Sequence, residues 1–150
     1  MNKKALIAAS LSVLIFNSTG IFAQEPPKKG DLEVVAALDI RPGNLTVSDD
    51  GRIFATIHPL DSPSQWRLIE ITGKTSWKSW PDDSWQKKEG QSLSHQIDTP
   101  LGITRDAKNR LWLVDMGLNS GKTRILSFDI KSGEHLMTIE LNEAIAPQGS

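Results

Sequence analysis

The sequence has 150 residues, enough for one modest domain, and its 17 basic and 18 acidic residues give a formal net charge of −1. This balance excludes the strongly basic surface that is typical of proteins that bind nucleic acids or anionic membranes. The chain has no cysteine, which excludes disulfides, so its stability has to come from a packed core or from neighbouring chains.

The amino terminus has the pattern of a secretory signal peptide, with a short basic stretch, an uncharged run over residues 5–16 and then polar turn-forming residues. As a helix this run would reach about 18 Å, short of the roughly 30 Å that a membrane-spanning segment must cross. The pattern therefore predicts a cleaved signal peptide over residues 1–23. We expect the mature chain to begin at Gln24, after Ala23, and to be secreted or periplasmic.

Two segments separate the predicted signal peptide from the first repeated segment. Residues 24–32 are mostly polar and contain two prolines, which indicates a flexible leader. Residues 33–40 are mostly aliphatic, with adjacent valines, and this composition predicts an isolated β-strand.

The sequence then contains an internal repeat, in which residues 42–54 align without a gap on residues 100–112 at an offset of 58 residues. The matched pairs are Pro42 and Pro100, Leu45 and Ile103, Thr46 and Thr104, Arg52 and Arg110, Ile53 and Leu111, and Phe54 and Trp112. A repeat at this spacing indicates that one supersecondary unit occurs twice.

Each copy of the repeat predicts a four-stranded antiparallel meander. Two runs of alternating residues flank a turn, formed by Asp50-Gly51 in the first copy and Lys108-Asn109 in the second, and such turns need residues that accept a positive φ. The third and fourth strands are predicted at residues 66–71 and 74–80 in the first copy, and at 123–130 and 135–141 in the second.

Four short strands that recur every 50 to 60 residues are typical of a β-propeller blade, whose first strand lines the central channel. The sequence therefore predicts an all-β fold with blades at residues 42–81 and 100–141, and with residues 33–40 as the closing outer strand of the last blade. Closed propellers need about four to eight blades. Residues 33–150 are thus expected to be a partial propeller, either truncated or assembled from several chains, with blade edges that favour self-association.

Two segments resemble the major royal jelly protein and Yellow family: residues 42–54, and residues 101–117 with their Leu-Trp-x-x-Asp-x-Gly pattern. Residues 129–133 are similar to that family's third-strand turn. The resemblance implies a secreted six-bladed propeller related to dopachrome tautomerase, of which this chain covers the opening third. It implies either an isomerase of that type or a small-ligand binder, and a two-blade fragment of such an enzyme is expected to be inactive.

Propellers commonly bind ligands at one mouth of the channel, where the first strands begin and the second strands end. Asn44, His58, Asp115 and Asn119 lie at these places. We predict His58 and Asp115 as the proton-transfer pair of a tautomerase, because the repeat offset puts them at the same level in neighbouring blades. Asn44 and Asn119 are predicted to bind the ligand, and the Asp115 carboxylate also suits a cation or an amine.

Three of these candidates also have a structural interpretation that the sequence leaves open. Asp115 is suited to accept backbone N–H groups in the turn at Gly117. His58 is suited to packing at the end of a strand, and Asn44 to satisfying its own turn.

Two other functions remain open alternatives. The blade pattern also resembles gluconolactonase-type propellers, which implies a metal-dependent hydrolase with a divalent metal in the channel, and the metal is the one cofactor that the sequence suggests. A non-catalytic binding or scaffold protein is the second alternative. The expected partner is a small polar or aromatic ligand. Loss of two lysines with the signal peptide leaves 15 basic and 18 acidic residues, or −3, so no nucleic-acid or membrane partner is expected.

Overall fold

The computed structural model describes residues 28–57, 64–87, 95–142 and 145. The chain divides into two compact units, Met1–Glu33 and Val34–Ser150. In the described part of the first unit, the Lys28 N–H donates to Asp31 Oδ2 at 2.8 Å and closes a turn. The predicted signal peptide lies outside the described residues, and so does His58.

The second unit contains two four-stranded antiparallel sheets, and the strands of each sheet follow one another in chain order. The first sheet consists of β1 (Pro42–Val47), β2 (Ile53–Ile57), β3 (Leu68–Gly73) and β4 (Ser76–Ser79). The second sheet consists of β5 (Pro100–Arg105), β6 (Arg110–Asp115), β7 (Arg124–Asp129) and β8 (His135–Glu140). The prediction of an all-β fold with two blade-like meanders is confirmed.

The only helical element in the described residues is one turn of 3-10 helix, Asp83–Trp85, in the connection between the sheets. Asp82 caps this turn, because its carboxylate accepts the Ser84 N–H at 2.7 Å. Within the part of the chain that the structure covers, we find no helix with the length and apolar character needed to cross a membrane.

The two sheets repeat one another even in their irregularities. The strand register shifts between Pro42 and Leu45 in β1, and between Pro100 and Ile103 in β5. These positions are related by the same offset of 58 residues that relates the two sequence segments. Because a bulge increases local twist, the two sheets share the same bend as well as the same strand order.

Both predicted hairpin turns have the expected backbone conformation. Gly51 has a φ of 83° and Asn109, its counterpart in the second sheet, has a φ of 56°. This left-handed region is open to glycine and tolerated by asparagine, whereas a β-branched side chain is strained there. The turn residues thus explain why the chain reverses at these two places.

A side chain at the start of each turn holds the hairpin closed. Ser48 Oγ accepts the backbone N–H of Arg52 at 2.9 Å, and Asp106 Oδ1 accepts that of Arg110 at 3.0 Å. Asp106 also forms an ion pair with the Arg110 guanidinium at 2.6 Å and accepts the Trp112 indole N–H at 2.9 Å. The bonds from Arg110 and Trp112 hold the pKa of Asp106 well below its ordinary value.

The larger apolar core lies between the two sheets, so it joins them into one body. The Trp80 ring lies edge-on to Phe54 of β2 at 4.8 Å and to Phe128 of β7 at 5.6 Å, measured between ring centroids. The buried members of this core are Phe54, Leu68, Trp80, Ile97, Leu111, Leu113, Leu126, Phe128 and Ile130.

The opposite face of the first sheet carries a smaller core, formed by Ala55, Ile57 and Ile69. Leu38 and Ile40, from the segment before β1, pack against it. The partly buried side chains of Trp66, Ile71 and Trp77 complete its cover.

Residues 33–40 are not assigned to a strand, which differs from the prediction of a closing strand. The Ala37 N–H donates to Lys74 O at 2.7 Å, and the Trp77 indole donates to Asp39 Oδ1 at 2.9 Å. A strand needs a continuous ladder with a neighbour, and these two bonds do not form one. The segment instead uses its aliphatic side chains to cover the smaller core of the first sheet.

We expect Gly51→Val to lower the free energy of unfolding by about 1 kcal/mol or more, because valine would be forced into the left-handed region. Space is not the reason, since a Cβ at Gly51 would meet no atom within 4 Å. Urea denaturation of the full chain measures the change. Asn109→Gly is the matched control and should change stability little, and equal effects of the two substitutions would contradict the prediction.

Candidate functional site

The candidate site lies at one end of the two sheets. In an antiparallel meander the first strand begins, the second ends and the third begins at the same end. The start of β1 with Asn44, the start of β5 and the β6–β7 connection with Asn119 therefore lie there together. This is the end at which the sequence predicted a ligand site.

Asp115 ends β6 and its side chain is fully buried. Its Oδ1 accepts the backbone N–H groups of Thr99 at 2.7 Å and Gly117 at 3.2 Å. Its Oδ2 accepts the Asp98 N–H at 3.0 Å and the Arg124 guanidinium at 2.6 Å. Each carboxylate oxygen thus receives two donors, and the cation of Arg124 compensates the buried charge.

These contacts match the structural interpretation of Asp115, in which the carboxylate holds the turn at Gly117. A general base needs a lone pair that is open to its substrate, and a cation ligand needs one that is open to the ion. Donors occupy both oxygens here, and the side chain has no exposed surface. The proton-transfer role of Asp115 stays a prediction without support from its contacts, and the position of its proposed partner His58 is outside the described residues.

The turn after Asp115 requires glycine for two reasons. Gly117 has a φ of 68°, in the left-handed region. A Cβ at this position would also overlap the backbone carbonyl of Lys122. Glycine therefore lets this turn approach the Lys122 carbonyl while its N–H donates to Asp115.

Asp98 is a second buried carboxylate at this end, and no sequence motif marks it. Its Oδ2 accepts the backbone N–H groups of Asn119 at 2.9 Å and Ser120 at 2.8 Å, and its Oδ1 accepts the Asn119 side-chain amide. Burial alone raises the pKa of Asp98, but the hydrogen bonds from Asn119 and Ser120 outweigh it, so the pKa lies below its ordinary value.

Asn119, predicted as a ligand-binding residue, therefore has a role within the fold. It uses its backbone and its side chain to hold the β6–β7 connection against Asp98. The residue remains exposed at the surface, next to Leu118, of which 51% is exposed. The loop thus presents an amide and an apolar side chain at the mouth.

One buried side chain reaches this network from the residue just before β3. Arg67 Nε donates to the backbone carbonyl of Asp98 at 2.7 Å, and the Arg67 N–H donates to Gln86 Oε1 at 2.8 Å. Burial lowers the pKa of Arg67, and the carboxylates of Asp98 and Asp115 partly counteract this effect. The polar network therefore extends across the joint between the sheets.

Asn44, the other predicted ligand-binding residue, lies where the first strands of the two sheets meet. Its Nδ2 donates to the Leu101 carbonyl at 3.1 Å. The Thr56 hydroxyl accepts the Asn44 N–H at 3.0 Å and donates to the same carbonyl at 3.1 Å. Asn44 thus links β1 to β5 and is nevertheless exposed to solvent.

The described residues offer little to a divalent metal. No three of their histidine, aspartate or glutamate side chains lie close enough together to hold an ion. The carboxylates of Asp98 and Asp115 already accept N–H donors, whereas calcium and magnesium require open oxygen atoms. Among the described residues at this end, we therefore find no set that would hold the metal of the hydrolase alternative.

A scan against protein-family models finds no match to this chain, and a search of the curated proteins finds none either. The class of the protein consequently rests on its architecture, two successive four-stranded antiparallel sheets of the blade type.

We expect Asp115→Ala to lower the free energy of unfolding by about 3–5 kcal/mol, because it leaves Arg124 buried without its carboxylate partner. Asp49→Ala is the matched control. Asp49 is exposed and forms a single surface ion pair with Arg105 at 2.9 Å, so its loss should cost about 1 kcal/mol or less. Denaturant unfolding of both variants measures the difference, and a small effect at Asp115 would count against a structural role.

The stability contributed by Asp98 should depend on pH. Because its pKa is lower in the folded chain than in the unfolded chain, this stability is present above the unfolded pKa of about 3.9 and is lost as pH falls through the folded pKa. We therefore expect Asp98→Asn to be less stable than the wild type at pH 7, with a gap that narrows below about pH 4. Melting curves from pH 2 to pH 7 measure the gap, and a gap independent of pH would refute the prediction.

Proposed function

We propose that this chain contributes two neighbouring blades to an exported β-propeller of the Yellow and major royal jelly type, which holds a small polar or aromatic ligand at the mouth of its channel. The observation that carries the proposal is the adjacency of β1 and β5, joined through Asn44 and Thr56 to the Leu101 carbonyl. First strands side by side are what a ring around a central channel requires.

The outer face of the second sheet supports the presence of further blades beside it. The repeat offset puts Trp112 and Val114 at the positions of Phe54 and Thr56 in the first sheet, the face that receives the second sheet. A shallow concavity on this face is lined by apolar side chains that include Trp112, Val114 and Ile125. A face of this kind is suited to packing against another blade.

Binding without chemistry agrees best with the side chains at the mouth. The buried Asp115 carboxylate is engaged by four donors, so it offers no base for the tautomerase reaction that the resemblance implies. The exposed residues Asn44, Leu118 and Asn119 instead combine amides with an apolar surface. Such a combination orients a small ligand by hydrogen bonds and apolar contact.

Calorimetry of the full exported chain with dopamine, a small aromatic amine, tests this proposal. We expect saturable binding, and we expect Asn44→Ala to weaken it about tenfold, the effect of one lost hydrogen bond. Thr75→Ala is the control, because Thr75 is exposed in the β3–β4 turn at the other end of the sheet. No binding, or equal binding by the Asn44 variant, would contradict the proposal. Dopachrome turnover above the rate without protein would replace it with an isomerase.

A further inference from the structure

The outer edges of the two sheets differ in how well they are protected. β4, the edge of the first sheet, has only four residues, and Lys78 within it forms an ion pair with Glu70 at 3.1 Å. Residues from the segment before β1 contact this edge, through the bond from Ala37 to Lys74 and that from Trp77 to Asp39. Short length, a lysine and a covering segment are the usual protections of an edge strand.

Among the residues that the structure describes, β8, the edge of the second sheet, has none of these protections. It has six residues, His135–Glu140, with no proline and no lysine. The exposed fractions of its apolar residues are 45% for Leu136, 45% for Met137 and 40% for Ile139. Its terminal charge is already neutralised, because Glu140 pairs with Lys122 at 3.1 Å. Within the described part of the chain, β7 is its only strand neighbour.

The pairing with β7 determines which backbone groups of β8 point outwards. The Leu141 N–H donates to Thr123 O at 2.9 Å, so these two residues form a hydrogen-bonded pair. Such pairs alternate along an antiparallel ladder, so Ile139 and Met137 also bond to β7. The N–H and C=O groups of the intervening residues, Thr138 and Glu140, therefore face the open edge, and the register shift at Leu136 ends this alternation.

We propose that β8 pairs antiparallel with β8 of a second copy of this chain, around a two-fold axis at Thr138. This register puts Met137 of each copy opposite Ile139 of the other copy. The apolar faces of the two second sheets then form one continuous face. It also puts Leu136 opposite Glu140 of the second copy. Centring the axis on Met137 instead would set Glu134 against Glu140 of the second copy, and like charges opposite one another are unfavourable.

The apolar face adds to this pairing. Met137 and Ile139 lie on the same side of the second sheet as Ile125 and Val114, because Ile125 pairs directly with both Ile139 and Val114. A two-fold pairing at β8 would therefore extend one apolar face over two chains. This contact lies on the outer strand of the sheet and does not depend on the proposed ligand site or on a closed ring.

Light scattering of the full chain over a range of concentrations tests the proposal, with Thr138→Pro as the main variant. The Thr138 N–H faces away from β7, so proline removes an outward donor without removing a bond of the sheet. Thr138→Lys blocks the edge by charge and serves as the second variant. Thr75→Lys is the matched control at an exposed turn.

We expect the particle mass of the wild type and of Thr75→Lys to be twice that of the two Thr138 variants, with at least a tenfold higher dissociation constant in those variants. Circular dichroism melts should show that all four proteins are folded. Hydrogen exchange at Thr138 and Glu140 should be slow in the wild type and fast in Thr138→Lys. A wild type with the same mass as the Thr138 variants would overturn the proposal. The proposal would also be overturned if Val114→Lys halved the particle mass and Thr138→Pro left it unchanged, because the contact would then involve the face of the sheet and not its edge.

Discussion

The buried pair of Asp115 and Arg124 is the interaction on which the joint between the two sheets depends. Asp115 accepts the backbone N–H groups of residues 98 and 99, where the connection from the first sheet arrives. Arg67, from the first sheet, contacts the carbonyl of Asp98 in the same place. Apolar side chains alone would allow several similar packings, whereas a buried charge is satisfied in only one. We therefore attribute the specific placement of the second sheet to this network. Buried polar groups specify one arrangement in some other proteins too.

The carboxylate oxygens of this network are fully occupied by hydrogen-bond donors, which stabilises the network and also limits its chemistry. A carboxylate that accepts two donors on each oxygen is a poor base and a poor metal ligand, since either task needs a free lone pair. Asp98 is in the same condition, with its pKa held down by Asn119 and Ser120 against the effect of burial. The side chains with exposed surface at this end, Asn44 among them, are therefore the ones on which a binding function can be based.

Local patterns were sufficient to predict most of the fold. The repeat gave the strand order, and Gly51 and Asn109 marked the turns because a positive φ suits few residues. The segment at 33–40 is not assigned to a strand, and its role as the closing strand of the last blade stays a prediction, because strand formation depends on a neighbour that composition does not reveal. Asp98 and Arg67 were missed because their contact joins residues 31 positions apart. Arg124 could have been found, since the β6–β7 register places it directly opposite Asp115.

The repeat preserves the shape of the sheet but not the residues that join one sheet to the next. Asn44 and Thr56, which link β1 to β5, correspond at the 58-residue offset to Gly102 and Val114. The outer face of the second sheet therefore cannot form the polar link that the first sheet forms. The two copies of the repeat are thus not equivalent, and each sheet is matched to one particular neighbour. A permuted gene that exchanges the two blades would therefore keep the strand order within each sheet. It would lose the hydrogen bonds from Asn44 and Thr56 to the Leu101 carbonyl, which join the sheets in their present order.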